Sequence, residues 1–257
     1  MRVVTLNANG IRAAVQKGLC DWLARARADV VCLQEIRAGQ HELPPELLRL
    51  RSHRLFVAPA TRPGYSGVAL LCRREPDRVV RGIGWPAFDA EGRYLQADFG
   101  ALSVASVYLP SGTSGELRQA FKMRALARFR RHLGAIAASG REHLLCGDFN
   151  IAHQKIDLEN WRGNQSHSGF LPEERAWLDA LFGRAGWVDA FRAVCPEPRQ
   201  YTWWSNRGRA WEKNVGWRID YHVATPGLAA RARAASIYKR RRFSDHAPLV
   251  MDYEGEL

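Results

Sequence analysis

Lysine is scarce in this chain. Only five residues are lysine, so arginine supplies nearly all of the cationic side chains behind a formal charge of +12. Close cysteine pairs are missing as well. Cys20, Cys32, Cys72, Cys146 and Cys195 lie far apart and form no CxxC motif. That excludes a disulfide framework and reads as reduced, buried thiols in a cytosolic setting. No Cys/His cluster at short spacing is present, which argues against zinc. No apolar run approaches the ~20 residues that cross a bilayer. Low-complexity tracts and Ser/Gly linkers are absent, so 1–257 reads as a single domain. The opening Arg2–Leu6 looks like a strand and not a secretory leader, and a cytoplasmic location is expected.

Hydrophobic residues make up 46% of the chain, with aromatics spread along its length. A sizeable core follows, and disorder is excluded. The basic surplus favours a polyanionic partner such as DNA, RNA or an anionic surface. Genome base composition is an alternative source of so much arginine. Apolar runs predict strands at Val3–Leu6, Val30–Leu33, Leu55–Ala58, Gly67–Cys72, Tyr94–Phe99, Leu102–Tyr108, Leu144–Gly147, Ile219–Ala224 and Ala247–Met251. Helical spacing predicts Ile11–Ala28 and Glu116–Ala138, the second with Phe121, Leu126, Phe129 and Leu133 on its apolar face. A third helix starts at Pro172, where the missing N–H suits a first turn and Glu173 and Glu174 favour the dipole. Strands clustered this way do not make a simple βαβ repeat. They fit an α/β protein built as a β-sandwich covered by helices.

Five polar clusters attend these strands: Asn7–Gly10, Gln34–Glu35, Gly147–Asn150, Asp220–Tyr221 and Ser244–His246. Each is expected to follow an apolar strand, where a rigid sheet aims side chains at one place. Singly, each has a plain reading. Asp148 and Asn150 shape a turn, Glu35 pairs with an arginine, and His246 is a satisfied core histidine. Jointly, carboxylates, amides and one histidine are what it takes to hold a hard divalent cation and activate water.

The segments LNANGIRAA, VVCLQE, GYSGVALLCR, VYLPSG, LLCGDFNIAH, GFLPEERAWLD, TWWS, KNVGWRIDYHVAT and FSDHAPL resemble the exonuclease III/AP endonuclease branch of the endonuclease–exonuclease–phosphatase superfamily. The likeness runs from the first strand to the last. It implies a four-layered α/β sandwich, two packed mixed β-sheets flanked by helices, with a site at one end. It implies a DNA repair nuclease that uses Mg²⁺, with Mn²⁺ as a substitute. The substrate would be double-stranded DNA with abasic sites or damaged or recessed 3′ ends, met by a monomer in a bacterial cytosol. Residue by residue, Glu35 would be the main metal ligand, helped by Asn7, with Asp245, Asp148 and Asn150 also at the metal. Asp148 would activate water with Asn150 beside it. Tyr108 would contact the phosphate, His246 would donate to it, and Asp220 would orient His246.

The same likeness implies that Asn164, Arg37 and Tyr65 (in the loop Gly64–Ser66) grip the DNA backbone. Trp203, Trp217 and Ile219 would line a recess for a flipped-out abasic sugar, with Gly169 leaving room. Trp204 reads equally well as core. Two features depart from the pattern. His167 stands where many relatives carry Asn, and Asn206–Arg209 varies among relatives. Either would shift the balance between abasic-site cutting and exonuclease action. Of two basic stretches, Arg124–Arg131 reads as a solvated helix face and Lys239–Arg242 as facing DNA. Two other readings stay open: a superfamily relative acting on RNA or a phospholipid, and a catalytically silent DNA-binding protein. The first is disfavoured by KNVGWRIDY, the second by the presence of Glu35, Asp148 and His246.

Overall fold

The computed structural model describes all 257 residues. Its strands are Arg2–Asn7 (β1), Val30–Gln34 (β2), Arg54–Ala58 (β3), Val68–Cys72 (β4), Arg78–Arg81 (β5), Tyr94–Phe99 (β6), Leu102–Tyr108 (β7), Glu142–Asp148 (β8), Val188–Asp189 (β9), Asp220–Ala224 (β10), Ala232–Ile237 (β11) and Leu249–Tyr253 (β12). Its helices are Ile11–Gln16 (α1), Leu19–Ala26 (α2), Pro45–Leu48 (α3), Pro86–Asp89 (α4), Glu116–Ala137 (α5), Trp161–Asn164 (α6), Pro172–Phe182 (α7), Ala190–Val194 (α8), Ala210–Lys213 (α9) and Pro226–Ala229 (α10).

The strands form two six-stranded sheets, ordered β11-β12-β1-β2-β4-β3 and β5-β6-β7-β8-β10-β9. Each has one parallel pair at its centre, β1 with β2 and β7 with β8, and antiparallel neighbours around it. Side chains alternate across each strand. Val3, Val30, Cys32, Leu144 and Cys146 therefore fill the space between the sheets. Val4, Val31 and Leu33 face outward under α1 and α2. Leu145 and Val107 face α5 and α7, among Phe129 and Trp177. Central strands buried on both faces give unbroken apolar runs, which is why they were legible. The layers run helix, sheet, sheet, helix.

Several expectations need correcting. The helix read over Ile11–Ala28 is two helices. Gly18 breaks it with φ +87, and a Cβ there would lie 2.5 Å from the Arg241 guanidinium. Strands β5, β9 and β11 carried no apolar signal. All three are sheet edges, short or arginine-bearing, as edges that avoid further pairing tend to be. Two polar clusters do not follow strands. Asp220 opens β10, and Ser244–His246 precede β12. These two strands run antiparallel to β8 and β1, so their starts lie at the ends of β8 and β1. On α5, Phe121 is only half buried and Lys122 occupies the fully buried position.

Behind β10, the buried Arg218 donates to Asp157 at 2.8 and 3.1 Å and to Asp189 at 2.7 Å, and Arg192 joins them. Burial alone would raise the Asp157 pKa, but Arg218 and Arg192 outweigh it and hold the carboxyl at about 2. A folded-state pKa below the ordinary 3.8 stabilises the fold above about pH 4, and that contribution is lost as pH falls toward 2. Asp157→Asn is expected to cost roughly 3 kcal/mol near neutrality, because it strips a buried charge of its partner. That is a melting temperature lower by roughly 6–12 °C. The gap from the parent should narrow between pH 4 and pH 2. A gap that stays constant over that range would contradict the assignment.

Candidate active site

The ends of β1, β2, β7 and β8 and the starts of β10 and β12 converge at one end of the sandwich. Just beneath, Gln34 on β2 reaches across to Ser106 on β7 at 2.9 Å and accepts from Thr5 at 3.1 Å. Gln34 belongs to one of the five polar clusters but lies below the site and is wholly buried. Its bonds make it a tie between the sheets. Gly147 allows the close approach: a Cβ there would sit 1.9 Å from the Val107 carbonyl oxygen.

Above this tie the polar residues form one connected network. Asn7 Nδ2 donates to Glu35 Oε2 at 3.1 Å and to Asp148 Oδ2 at 2.8 Å. The Tyr108 hydroxyl donates to Glu35 Oε2 at 3.0 Å. Arg37 Nε donates to Glu35 Oε1 at 2.9 Å. The Asn150 backbone N–H donates to Asp148 Oδ1 at 2.8 Å, and its side-chain amide bonds the Leu109 carbonyl at 2.9 Å. Asp245 accepts from Asn9, Trp203 and Ser244 at 2.8–3.0 Å. Four rim residues, Asn9, Glu35, Arg37 and Asn150, hold left-handed backbone with φ between +44 and +53. Such strain costs roughly 1–3 kcal/mol each and gathers where geometry serves function.

His246 is buried between two carboxylates. Its Nδ1 lies 2.9 Å from Asp220 Oδ2, and its Nε2 lies 3.8 Å from Asp148 Oδ2. Burial alone would lower the imidazole pKa, but Asp220, Asp148 and Asp245 outweigh it and raise it to about 10. Burial raises Asp148 to about 7, against the pull of the His246 charge. Asp245 goes the other way: His246 and its three hydrogen-bond donors overcome burial and hold it below the ordinary carboxyl value. Asp148, Asp220 and His246 offer donor atoms within 4.8 Å of one another, the spacing of a metal site. The same three are joined in a chain that can hold a proton, with Asp220–His246 at 2.9 Å and His246–Asp148 at 3.8 Å. Oxygen donors for a hard cation lie beside it, on Glu35, Asn7 and Asp148. Asn7 here turns its N–H toward the carboxylates, because its Oδ1 accepts the Asn9 backbone N–H at 2.9 Å.

An apolar cluster adjoins the network. Trp203 and Trp217 meet edge to face at 6.2 Å, beside Ile219, Phe170 and Leu158. A bridge pairs Trp203 with His246. Gly169 has φ +98, and a Cβ there would come within 3.1 Å of the Trp217 ring. Trp204 is wholly buried against Trp211, in a separate apolar cluster. Tyr65 connects to the network through Arg93, which bonds its hydroxyl at 3.2 Å and lies 4.5 Å over the Tyr108 ring. Arg93, nearly fully buried, was not singled out by sequence, nor was Glu91, which binds both Arg93 and Arg118. Asn164 is not joined to the network; its amide caps the Asn160 carbonyl at 2.7 Å. In the basic stretch, Lys239 bonds Asn214 and Arg242 bonds the Ser244 carbonyl, so both have internal partners. Arg124, Arg128, Arg130 and Arg131 face outward from α5.

Residues 4–246 match the Endonuclease/Exonuclease/phosphatase family. The chain is 36% identical over 254 residues to the DNA repair nuclease APEX1 of Danio rerio, covering 98% of this chain and 81% of that one. It is 37% identical over 258 residues to the exodeoxyribonuclease of Bacillus subtilis, covering 98% of each. Among solved structures, an AP endonuclease from Archaeoglobus fulgidus superposes with a TM-score of 0.91 at 26% identity, over 99% of this chain and 100% of the other. The 3′ phosphatase NExo from Neisseria, bound to a product DNA hairpin, superposes at 0.89 with 25% identity, over the same shares.

Proposed function

Because the chain belongs to the endonuclease/exonuclease/phosphatase family, we propose that it is a metal-dependent DNA repair nuclease that cuts the phosphodiester 5′ to abasic sites and trims 3′ ends. The observation that carries this reading is the buried Asp220–His246–Asp148 chain set between an oxygen-rich rim and an apolar cluster. No helix is long and apolar enough to cross a membrane. We read the chain as one catalytic domain that works as a monomer in a bacterial cytosol.

The rim fits a hard cation, since Glu35, Asn7 and Asp148 offer oxygen and no thiol lies among them. Glu35 would hold Mg²⁺ or Mn²⁺, with Asn7 after its amide turns, Asp148 and Asn150 alongside, and Asp245 in support. When bound, the ion supplies positive charge to the phosphate oxygens and makes water more acidic.

The chain's own residues supply the rest. Asp148, raised toward neutrality by burial, takes a proton from the attacking water. Asn150 fixes the direction of that carboxylate through its backbone N–H. His246 carries its proton at neutral pH, held by Asp220, and donates from Nε2 to a phosphate oxygen. The Tyr108 hydroxyl keeps its proton, because burial and the Glu35 charge push its pKa well above the ordinary phenol, and it serves as a second donor. Arg37, Tyr65 and Asn164 would meet the DNA backbone. Trp203, Trp217 and Ile219 would receive a sugar that lacks its base, with Gly169 keeping the wall thin. One observation favours a second reading, a mainly 3′→5′ exonuclease. His167 stands exposed on the loop that carries Gly169, whose Cβ position abuts the Trp217 ring.

A metal titration tests the reading. Digestion of a recessed duplex should stop with chelator and return with Mg²⁺. Glu35→Gln should raise the Mg²⁺ needed for half-maximal rate by about 10–100-fold, as loss of a ligand or its support does. An unchanged titration would remove Glu35 from the metal.

A further inference from the structure

We infer that Lys122 and Glu174, a buried ion pair behind the site, are positioning residues for the reaction: they tie the Asp148–Asn150 turn and the loop carrying Gly169 into one unit. This rests on the reading of the site given above.

Both side chains are fully buried, and Lys122 Nζ lies 2.7 Å from Glu174 Oε1. Lys122 comes from the inner face of α5, at helical spacing with Leu126, Phe129 and Leu133. Glu174 comes from the first turn of α7. The ammonium also donates to the Asn150 carbonyl at 2.8 Å. Asn150 is left-handed, and its own N–H holds Asp148 Oδ1. Lys122 thus holds the carbonyl of the same residue whose N–H orients Asp148, one peptide group further along the turn.

Glu174 fixes the Gly169 side. Its Oε2 accepts the backbone N–H groups of Gly169 at 2.6 Å and Leu171 at 3.1 Å. Its Oε1 accepts also from Gln119 at 3.0 Å and Ser168 at 3.3 Å. The two loops touch directly. The Ala152 N–H donates to the Gly169 carbonyl at 2.8 Å, and a Cβ on Gly169 would lie 3.3 Å from the Asn150 oxygen.

Adhesion of α5 to α7 does not need the pair. Leu126, Phe129, Trp177 and Leu178 already pack there, and Trp177 Nε1 donates to the Leu126 carbonyl at 2.9 Å. Matched apolar groups commonly replace a buried ion pair with no loss of stability. What charge adds here is aim, with each partner directed at backbone atoms of a different loop. A wall that recognises substrate and a turn that carries the base then move together.

The test compares the parent with Lys122→Met, Glu174→Gln and the double variant. Each is measured for melting temperature, amide exchange in 148–152 and 168–171, and kcat and KM on a recessed duplex. Lys122→Met should lower kcat by about 10–100-fold, the scale of a small misplacement of a reacting group, with KM nearly unchanged. Exchange should quicken in both segments together, although Lys122 bonds only one of them. The double variant leaves no unpaired charge, so its melting temperature should recover while kcat does not. Recovery of kcat with stability, or faster exchange in the 148–152 segment alone, would overturn the inference. An inactive parent would instead refute the nuclease reading, and the exchange data would still decide whether the loops form one unit. If neither single variant folds, the double variant carries the comparison.

Discussion

Asp148→Asn is expected to lower kcat by about 10²–10⁴-fold, the range for losing a positioned proton acceptor, with DNA affinity unchanged or tighter. The amide keeps the shape of the carboxyl and can still accept from Asn7, but it cannot take a proton from water. The substitution also carries a sign that separates it from damage to the fold. Burial raises the Asp148 pKa to about 7, above the ordinary 3.8. A carboxyl raised in this way opposes folding as pH climbs above 3.8. The variant should therefore melt no lower than the parent near neutrality. Single-turnover rates beside melting curves make the check. Near-normal turnover would remove Asp148 from the base role.

His246→Asn is expected to lower kcat by about 10²–10³-fold, as loss of one aimed donor to a developing oxyanion does. Here stability should fall too. Asp220 and Asp148 lose the cation between them, and one must take up a proton or stay buried and unpaired, a cost of about 3 kcal/mol. Asp220→Asn should lie between parent and His246→Asn in rate, because Asp220 acts only through the imidazole it holds at 2.9 Å. Equal rates for Asp220→Asn and the parent would contradict that dependence.

The central strands and the long helices could be read from the sequence because their residues face apolar surroundings. β1, β2, β4 and β8 are buried on both faces, so nothing interrupts the signal. The edges β5, β9 and β11 could not be read, since a half-exposed strand needs few apolar residues. The break at Gly18 takes a left-handed backbone that glycine adopts readily, so the glycine itself was the available local sign. The chemical residues stood out as clusters, and the resemblance paired them with roles. Their order in space needed the antiparallel starts of β10 and β12. The supporting residues were harder. Lys122 does sit on the apolar face of α5, a signal that was available. Glu174 passed as a dipole partner, when its carboxylate is in fact spent on five donors. Arg93 and Glu91 carry no motif of their own.

One gel on two labelled duplexes, with Mg²⁺ and with chelator, tests the central claim most directly. One duplex holds a single internal abasic-site analogue, and the other is intact with a recessed 3′ end. The account predicts a cut 5′ to the abasic site and shortening of the recessed end, both lost with chelator. Shortening alone would keep the chemistry and assign the exonuclease reading to the loop that bears His167. No metal-dependent product from either duplex would contradict the account.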